Sequence, residues 1–266
     1  MRRSVFWPAI WALLLPIVQC QDQEKMSLKD HAHVAIYSDR GVWSESVRAA
    51  EKMFPWMGHT VERVNARQIK NGVLENIQIF CVPGGNMYQY AEDLSSKGIE
   101  NIRDFIQGGG GYVGICGGAY FASERVVWRG NQLPMMSLNL FPGTAQGPYK
   151  EIIPYPDSGM CQVIIVEPTH PITQTEPDSA WMLYYWGPAL IPENNAYVTI
   201  LGRYDSTNQP VMLALEYGQG RAFLIGTHPE IEEDSDRDDV TFGDELDDRG
   251  SDWELMRKAT LWCLGE

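Results

Sequence analysis

Gly111-Tyr112-Val113-Gly114-Ile115-Cys116-Gly117-Gly118-Ala119-Tyr120-Phe121-Ala122 carries the densest structural signal in the chain. Tyr112 to Ile115 is a short apolar run that reads as a buried strand. The turn Gly114-Ile115-Cys116-Gly117-Gly118 follows it, and Ala119 to Glu124 reads as a helix. In a sharp strand-to-helix turn, side chains two places either side of the apex would clash, so glycine is needed there. The turn lifts the Cys116 thiol above the sheet, where helix N-terminal amides favour the thiolate. The Gly117 amide is placed to hold an oxyanion. The plain alternative is a glycine-rich turn around an incidental buried cysteine. The strand before it and the residues discussed below weigh against that.

Working outward, residues 32–38 read as a strand, Val42 to Met57 as a helix, and Thr60 to Val64 as a second strand. A short helix is expected over Ala66 to Leu74, a strongly apolar strand over Ile77 to Val82, and a helix over Tyr88 to Gln107. In that last helix Ile99, Ile102, Phe105 and Ile106 share one face. Strands alternating with helices predict an α/β fold, a parallel sheet and right-handed crossovers covering both faces. Downstream, Val126 to Tyr155 is rich in Gly, Pro and Asn and reads as an irregular insertion. Strands are expected at Gln162–Glu167, Met182–Trp186, Tyr197–Tyr204, Val211–Glu216 and Arg221–Ile225, the last two forming an antiparallel hairpin. A helix from Trp253 to Leu264 closes a single domain spanning residues 31–265.

Two further strand ends carry chemistry. Gly226-Thr227-His228-Pro229-Glu230 follows the strand ending at Ile225. A thiol nucleophile needs a base, and the base needs an acceptor to orient it; His228 and Glu230 supply that pair. His31, His33, His59 and His170 lie in positions better suited to structural or solvated roles. Pro83-Gly84-Gly85-Asn86 follows the strand ending at Val82, and glycines there let backbone amides approach a ligand as a second oxyanion donor.

Together these segments, with Tyr184-Tyr185-Trp186-Gly187-Pro188 and the elbow extended to Ser123, resemble the class I glutamine amidotransferase-like superfamily. The closer resemblance is to the biotin-protein ligase N-terminal domain family. It implies a flavodoxin-like, mostly parallel sheet with helices on both faces, here with an antiparallel extension and an irregular insertion. It also implies a Cys116–His228–Glu230 triad, with Gly84, Gly85 and Gly117 as oxyanion donors. Tyr120, Tyr185 and Trp186 are expected at the pocket. The resemblance does not include a ligase catalytic domain, so ligase activity is not implied. Glutaminase members of the superfamily carry glutamine four residues after the nucleophile; Tyr120 stands there in this chain. Two readings stay open: a thiol hydrolase of an amide or peptide-like bond, and a catalytically silent binding or scaffolding module that keeps the fold and the elbow.

The formal net charge of -14 argues against nucleic-acid partners and anionic lipid surfaces. Arg2 and Arg3, then the apolar stretch Phe6 to Val18, read as an export signal over residues 1–20. Cleavage after Cys20 and lipidation of Cys20 both fit, so the expected location is periplasmic or extracellular, with membrane attachment only through Cys20. The expected partner is a small-molecule or peptide-like substrate, with no cofactor and no metal. Of the five cysteines, Cys81, Cys161 and Cys263 lie in apolar runs and read as buried inert thiols. Asp234, Asp236, Asp238 and Glu245 partly match a calcium loop, but Asp239 stands where glycine is wanted. An acidic solvated loop is the better reading, placed to cap the pocket and raise the His228 pKa.

Overall fold

The computed structural model describes residues 32–193, 197–232, 236–246 and 250–266. The expected export signal, Cys20, His31 and Asp234 lie outside these residues.

The first half alternates strands and helices: β1 (His33–Tyr37), α1 (Ser44–Trp56), β2 (Thr60–Val64), α2 (Ala66–Lys70), β3 (Ile79–Val82), α3 (Met87–Gln107), β4 (Gly111–Ile115) and α4 (Gly117–Ala122). β3 and β4 are buried at every residue, because helices cover both sheet faces. Ala35, Tyr37, Phe80 and Val82 enter the core shared with α2, α3 and α4. Val34, Ile36, Ile79 and Cys81 enter the opposite core with α1 and the C-terminal helix α5 (Trp253–Cys263). α1 buries Ser46, Val47, Ala49, Ala50, Met53 and Phe54, one helical face with a serine inside it.

The second half supplies β8 (Gly159–Ile165), β9 (Ser179–Tyr184), β11 (Val198–Tyr204), β12 (Pro210–Tyr217) and β13 (Gly220–Ile225). One sheet of nine strands runs β2-β1-β3-β4-β13-β12-β11-β8-β9. Its first five strands are parallel, and the rest form the antiparallel extension. The expected hairpin is present, with Tyr217 paired to Gly220.

The region from Val126 to Tyr155 is only partly irregular, since three strands run into or through it. β5 (Ser123–Trp128), β6 (Asn131–Gln132) and β7 (Phe141–Gly147) join β10 (Ala189–Pro192) in a second sheet ordered β10-β7-β5-β6. β7 alternates buried and half-buried residues with the strand period of two. Its sequence, Phe-Pro-Gly-Thr-Ala-Gln-Gly, has little β propensity, which hides that period. The sheet packs on α4: Val126, Phe141, Ala145 and Leu190 share a core with Tyr120, Phe121 and Ala122.

The acidic segment departs from expectation at Asp238, while Asp236, Asp239 and Glu245 are exposed as in a solvated loop. Asp238 is fully buried, and its carboxylate accepts the backbone N–H groups of Glu232 and Val240 at 2.9 and 3.0 Å. Glu232 is buried against Arg237, whose guanidinium stands over the Trp253 ring. Satisfied turn amides and paired charges hold its buried residues. No helix of the described residues is long and apolar enough to cross a membrane.

Candidate active site

β3, β4 and β13 are neighbours in the sheet, so the segments leaving their carboxyl ends converge. Cys116 leaves β4 at φ 45°, ψ -98°, the cap position of α4. A non-glycine residue at positive φ is strained and persists only when its surroundings hold it. Here the Cys116 N–H donates to the Ile225 carbonyl at 2.9 Å, tying the elbow to β13. The flanking glycines are required by contact: a Cβ on Gly118 would lie 2.0 Å from the Val82 carbonyl oxygen.

His228 follows β13 and is 1% exposed; Glu230 is fully buried. His228 Nδ1 lies 2.8 Å from Glu230 Oε1. The loop is anchored at three backbone points. The His228 N–H donates to Leu183 O at 2.9 Å, Ile231 N–H donates to His228 O at 3.2 Å, and Trp253 Nε1 donates to Glu230 O at 3.0 Å. Burial pushes the imidazole pKa down, but the interactions with Cys116 and Glu230 outweigh it, and His228 is raised to about 10. Those two groups, rather than Asp236 or Asp238, carry the shift. The other ring nitrogen, Nε2, is buried without a hydrogen-bond partner. The Cys116 thiol itself donates to the Tyr185 carbonyl at 3.6 Å. The sulfur and the base are therefore neighbours, with the thiol resting on a backbone oxygen.

A residue that no motif marked completes the arrangement. Ser46 of α1, fully buried, donates its hydroxyl to Glu230 Oε1 at 2.5 Å and accepts the Gly84 N–H at 2.9 Å. The carboxylate that orients His228 is thus itself oriented from a third element. Its only sequence signal is a serine on the buried face of an amphipathic helix, where a polar group must find a partner.

The Gly84 expectation is corrected by the same bond. Its N–H is committed to Ser46 and its carbonyl accepts from Trp43 N at 2.8 Å, so it holds the triad rather than an oxyanion. Its missing side chain makes room for the base, since a Cβ there would sit 2.5 Å from His228 Cε1. Gly85 does face the pocket, at φ 143°. Its backbone abuts Gly117, where a Cβ would lie 2.7 Å from the Gly85 nitrogen. The Gly85 and Gly117 backbones therefore pack against each other, Gly117 directly after Cys116 and Gly85 in the cavity lining.

A cavity of about 450 Å³ opens over the thiol, bordered by Gly85, His228 and a run of aromatic side chains. Tyr120 and Tyr185 both line it, as expected, and Trp43 and Trp128 join them. Tyr120 is buried and donates to the Trp186 carbonyl at 3.1 Å; burial holds its phenol well above its ordinary pKa. β9 stops at Tyr184, two residues earlier than expected, and Trp186 turns to φ 62°. Gly187 then packs on Gly226, where a Cβ would come 1.6 Å from the carbonyl oxygen. That contact sets the Tyr185 carbonyl over Cys116.

A model of the family described as biotin-protein ligase, N terminal, matches residues 32–257. The chain belongs to that family. The biotin–protein ligase of Schizosaccharomyces pombe is 30% identical over 164 residues, 58% of this chain and 25% of the ligase. An uncharacterized protein of Chlamydia muridarum is 32% identical over 126 residues, 43% of this chain and 48% of that one. The chain thus spans less than half the length of these curated relatives. A glutamine amidotransferase from Thermotoga maritima shares the fold at TM-score 0.52 and 12% identity, covering 89% of this chain and 99% of that one. A ThuA-like protein from Bacteroides uniformis does so at TM-score 0.54 and 13% identity, covering 86% and 89%. The class I glutamine amidotransferase-like fold read from the elbow is the fold observed.

Among the described residues, no group of three or more His, Cys, Asp and Glu side chains could hold a metal ion. The four described cysteines are buried and form no disulfide with one another, and burial followed by the Glu230 charge drives the Cys81 thiol well above its ordinary pKa. Cys116 is the one of them that lines the pocket.

Proposed function

We propose that this family member is a thiol hydrolase of an amide or peptide-like bond, with Cys116 as nucleophile, His228 as base and Glu230 as its orienter. The observation that carries the reading is the buried His228–Glu230 pair at 2.8 Å beside a cysteine held at positive φ. Cys116 Sγ gives its proton to His228 Nε2 and attacks the substrate carbonyl, whose π pair moves onto oxygen. The Gly85 and Gly117 amides hold that oxyanion. The tetrahedral intermediate collapses, the C–N bond breaks, and His228 Nε2 protonates the departing amine. Water, deprotonated by His228, then attacks the thioester and releases the acid and the thiol. Ser46 and Glu230 keep Nε2 aimed at the sulfur throughout. The basic and apolar N-terminal segment supports placing this chemistry outside the cytoplasm, where hydrolysis needs no ATP-using partner.

A second reading is favoured by one observation, the bond from the Cys116 thiol to the Tyr185 carbonyl. On that reading the chain is a binding module that retains the elbow without turnover. The two separate on the rate of Cys116 alkylation by iodoacetamide at neutral pH. Hydrolysis requires that His228→Gln slow alkylation by about 10²-fold, with the fold intact by circular dichroism. Equal rates in the two proteins would leave the binding module.

A further inference from the structure

We propose that the cavity beside Cys116 takes an uncharged amide whose acyl group carries a flat apolar ring, and that it rejects glutamine. The inference rests on Cys116 as the acyl acceptor and adds what the acyl group must be.

Among the described residues that line the cavity, only the Cys116–His228 pair can carry charge. The rest of the wall is dominated by rings. Trp43 lies 5.0 Å from Tyr185 between centroids, and Tyr185 lies 4.3 Å from Trp186. Phe242, brought in by the acidic segment, backs both Trp43 at 4.9 Å and Tyr185 at 5.0 Å. None of these pairs is a parallel stack, so ring faces and edges both remain for a flat ligand ring to meet.

Three polar atoms of this wall are already engaged within the protein. Tyr120 OH donates to Trp186 O, Trp186 Nε1 donates to Pro156 O at 3.1 Å, and Asn86 Oδ1 accepts the Tyr88 N–H at 3.1 Å. An α-ammonium entering here would shed water and meet no carboxylate among the described lining residues. Arg129 stands over the Tyr155 ring at 4.7 Å, outside the lining. A neutral aromatic acyl group keeps its carbonyl for the Gly85 and Gly117 amides and places its ring against the indoles. Such selection follows from what the site cannot pair, the stronger arm of discrimination for charged competitors.

The indoles of Trp43, Trp128 and Trp186 line the cavity and report on its occupancy. The full chain carrying Cys116→Ala, which binds without turnover, is titrated with phenylacetamide, hexanamide and L-glutamine while tryptophan fluorescence is followed. Phenylacetamide is expected to give a saturable change with a Kd at least about tenfold below that of L-glutamine, and below that of hexanamide. Trp186→Ala in the same background is expected to raise the phenylacetamide Kd by about tenfold. Glutamine binding as tightly as phenylacetamide, or no saturable response to phenylacetamide, overturns the inference; equal binding of hexanamide overturns the ring requirement. This test needs no chemistry at the thiol. An unactivated Cys116 with the phenylacetamide preference intact overturns hydrolysis alone, and an activated Cys116 without that preference overturns this inference alone.

Discussion

Replacing Ser46 by alanine strips one hydrogen bond from Glu230 Oε1 and leaves the Gly84 N–H buried without an acceptor. We expect a loss of about 1–3 kcal/mol in urea unfolding. A purely structural serine would stop there. If Ser46 positions the carboxylate, imidazole NMR will also show His228 titrating at lower pH, and iodoacetamide will react more slowly with Cys116. The His228 proton itself has a stability signature. Its pKa in the folded chain, about 10, lies above the ordinary 6.5, so the native state holds this proton more tightly than the unfolded chain. The contribution is fully present below about pH 6.5 and is lost as pH rises through about 10. Unfolding free energies of the wild type and His228→Gln, compared across that range, should converge as pH rises; a constant gap contradicts the raised pKa. Cys116, His228 and Glu230 were legible because each sits in a short motif at a strand end. Ser46 was not, because its partner Glu230 lies 184 residues away. Gly84 was legible as a special glycine, but its partner decided its role.

At the scale of elements, α3 was readable from its apolar face yet is not continuous. Ser95 adopts φ 54° and ψ -176° inside it, a conformation tolerated mainly by glycine. No Gly or Pro marks the interruption, and the apolar spacing on either side reads through it. Ser95→Gly should relieve the strain and stabilise the chain by about 1 kcal/mol, after allowing for the added freedom of the unfolded state. Thermal and urea unfolding measure it, and a destabilised variant would show that Ser95 is held by its contacts rather than strained. β7 failed to announce itself for the opposite reason. Its period-2 burial is built from Gly, Ala and Pro, whose composition signals a loop.

Over the whole molecule, the second sheet and the parallel sheet meet in one core through α4. Phe141 of β7 is fully buried there. Phe141→Ala should cost about 3–5 kcal/mol. The loss should appear as one shifted transition by both tryptophan fluorescence and far-UV circular dichroism, because no separate core is available to unfold alone. Two separated transitions would mean that the sheets fold independently. The same packing joins Tyr120 of α4 to Trp128 of β5, with ring centroids 5.8 Å apart, so the second sheet supplies one wall of the cavity.

The amino-acid sequence by itself determined the strand and helix alternation, the elbow and the His-x-Glu pair, because local sterics and apolar periodicity act over a few neighbouring residues. Tertiary structure alone decided that Gly84 serves Ser46, that the Tyr185 carbonyl rests on the thiol, and that aromatic rings from distant segments enclose an uncharged cavity. Those contacts join residues far apart in the chain, and only the packed sheet brings them within hydrogen-bonding or van der Waals reach.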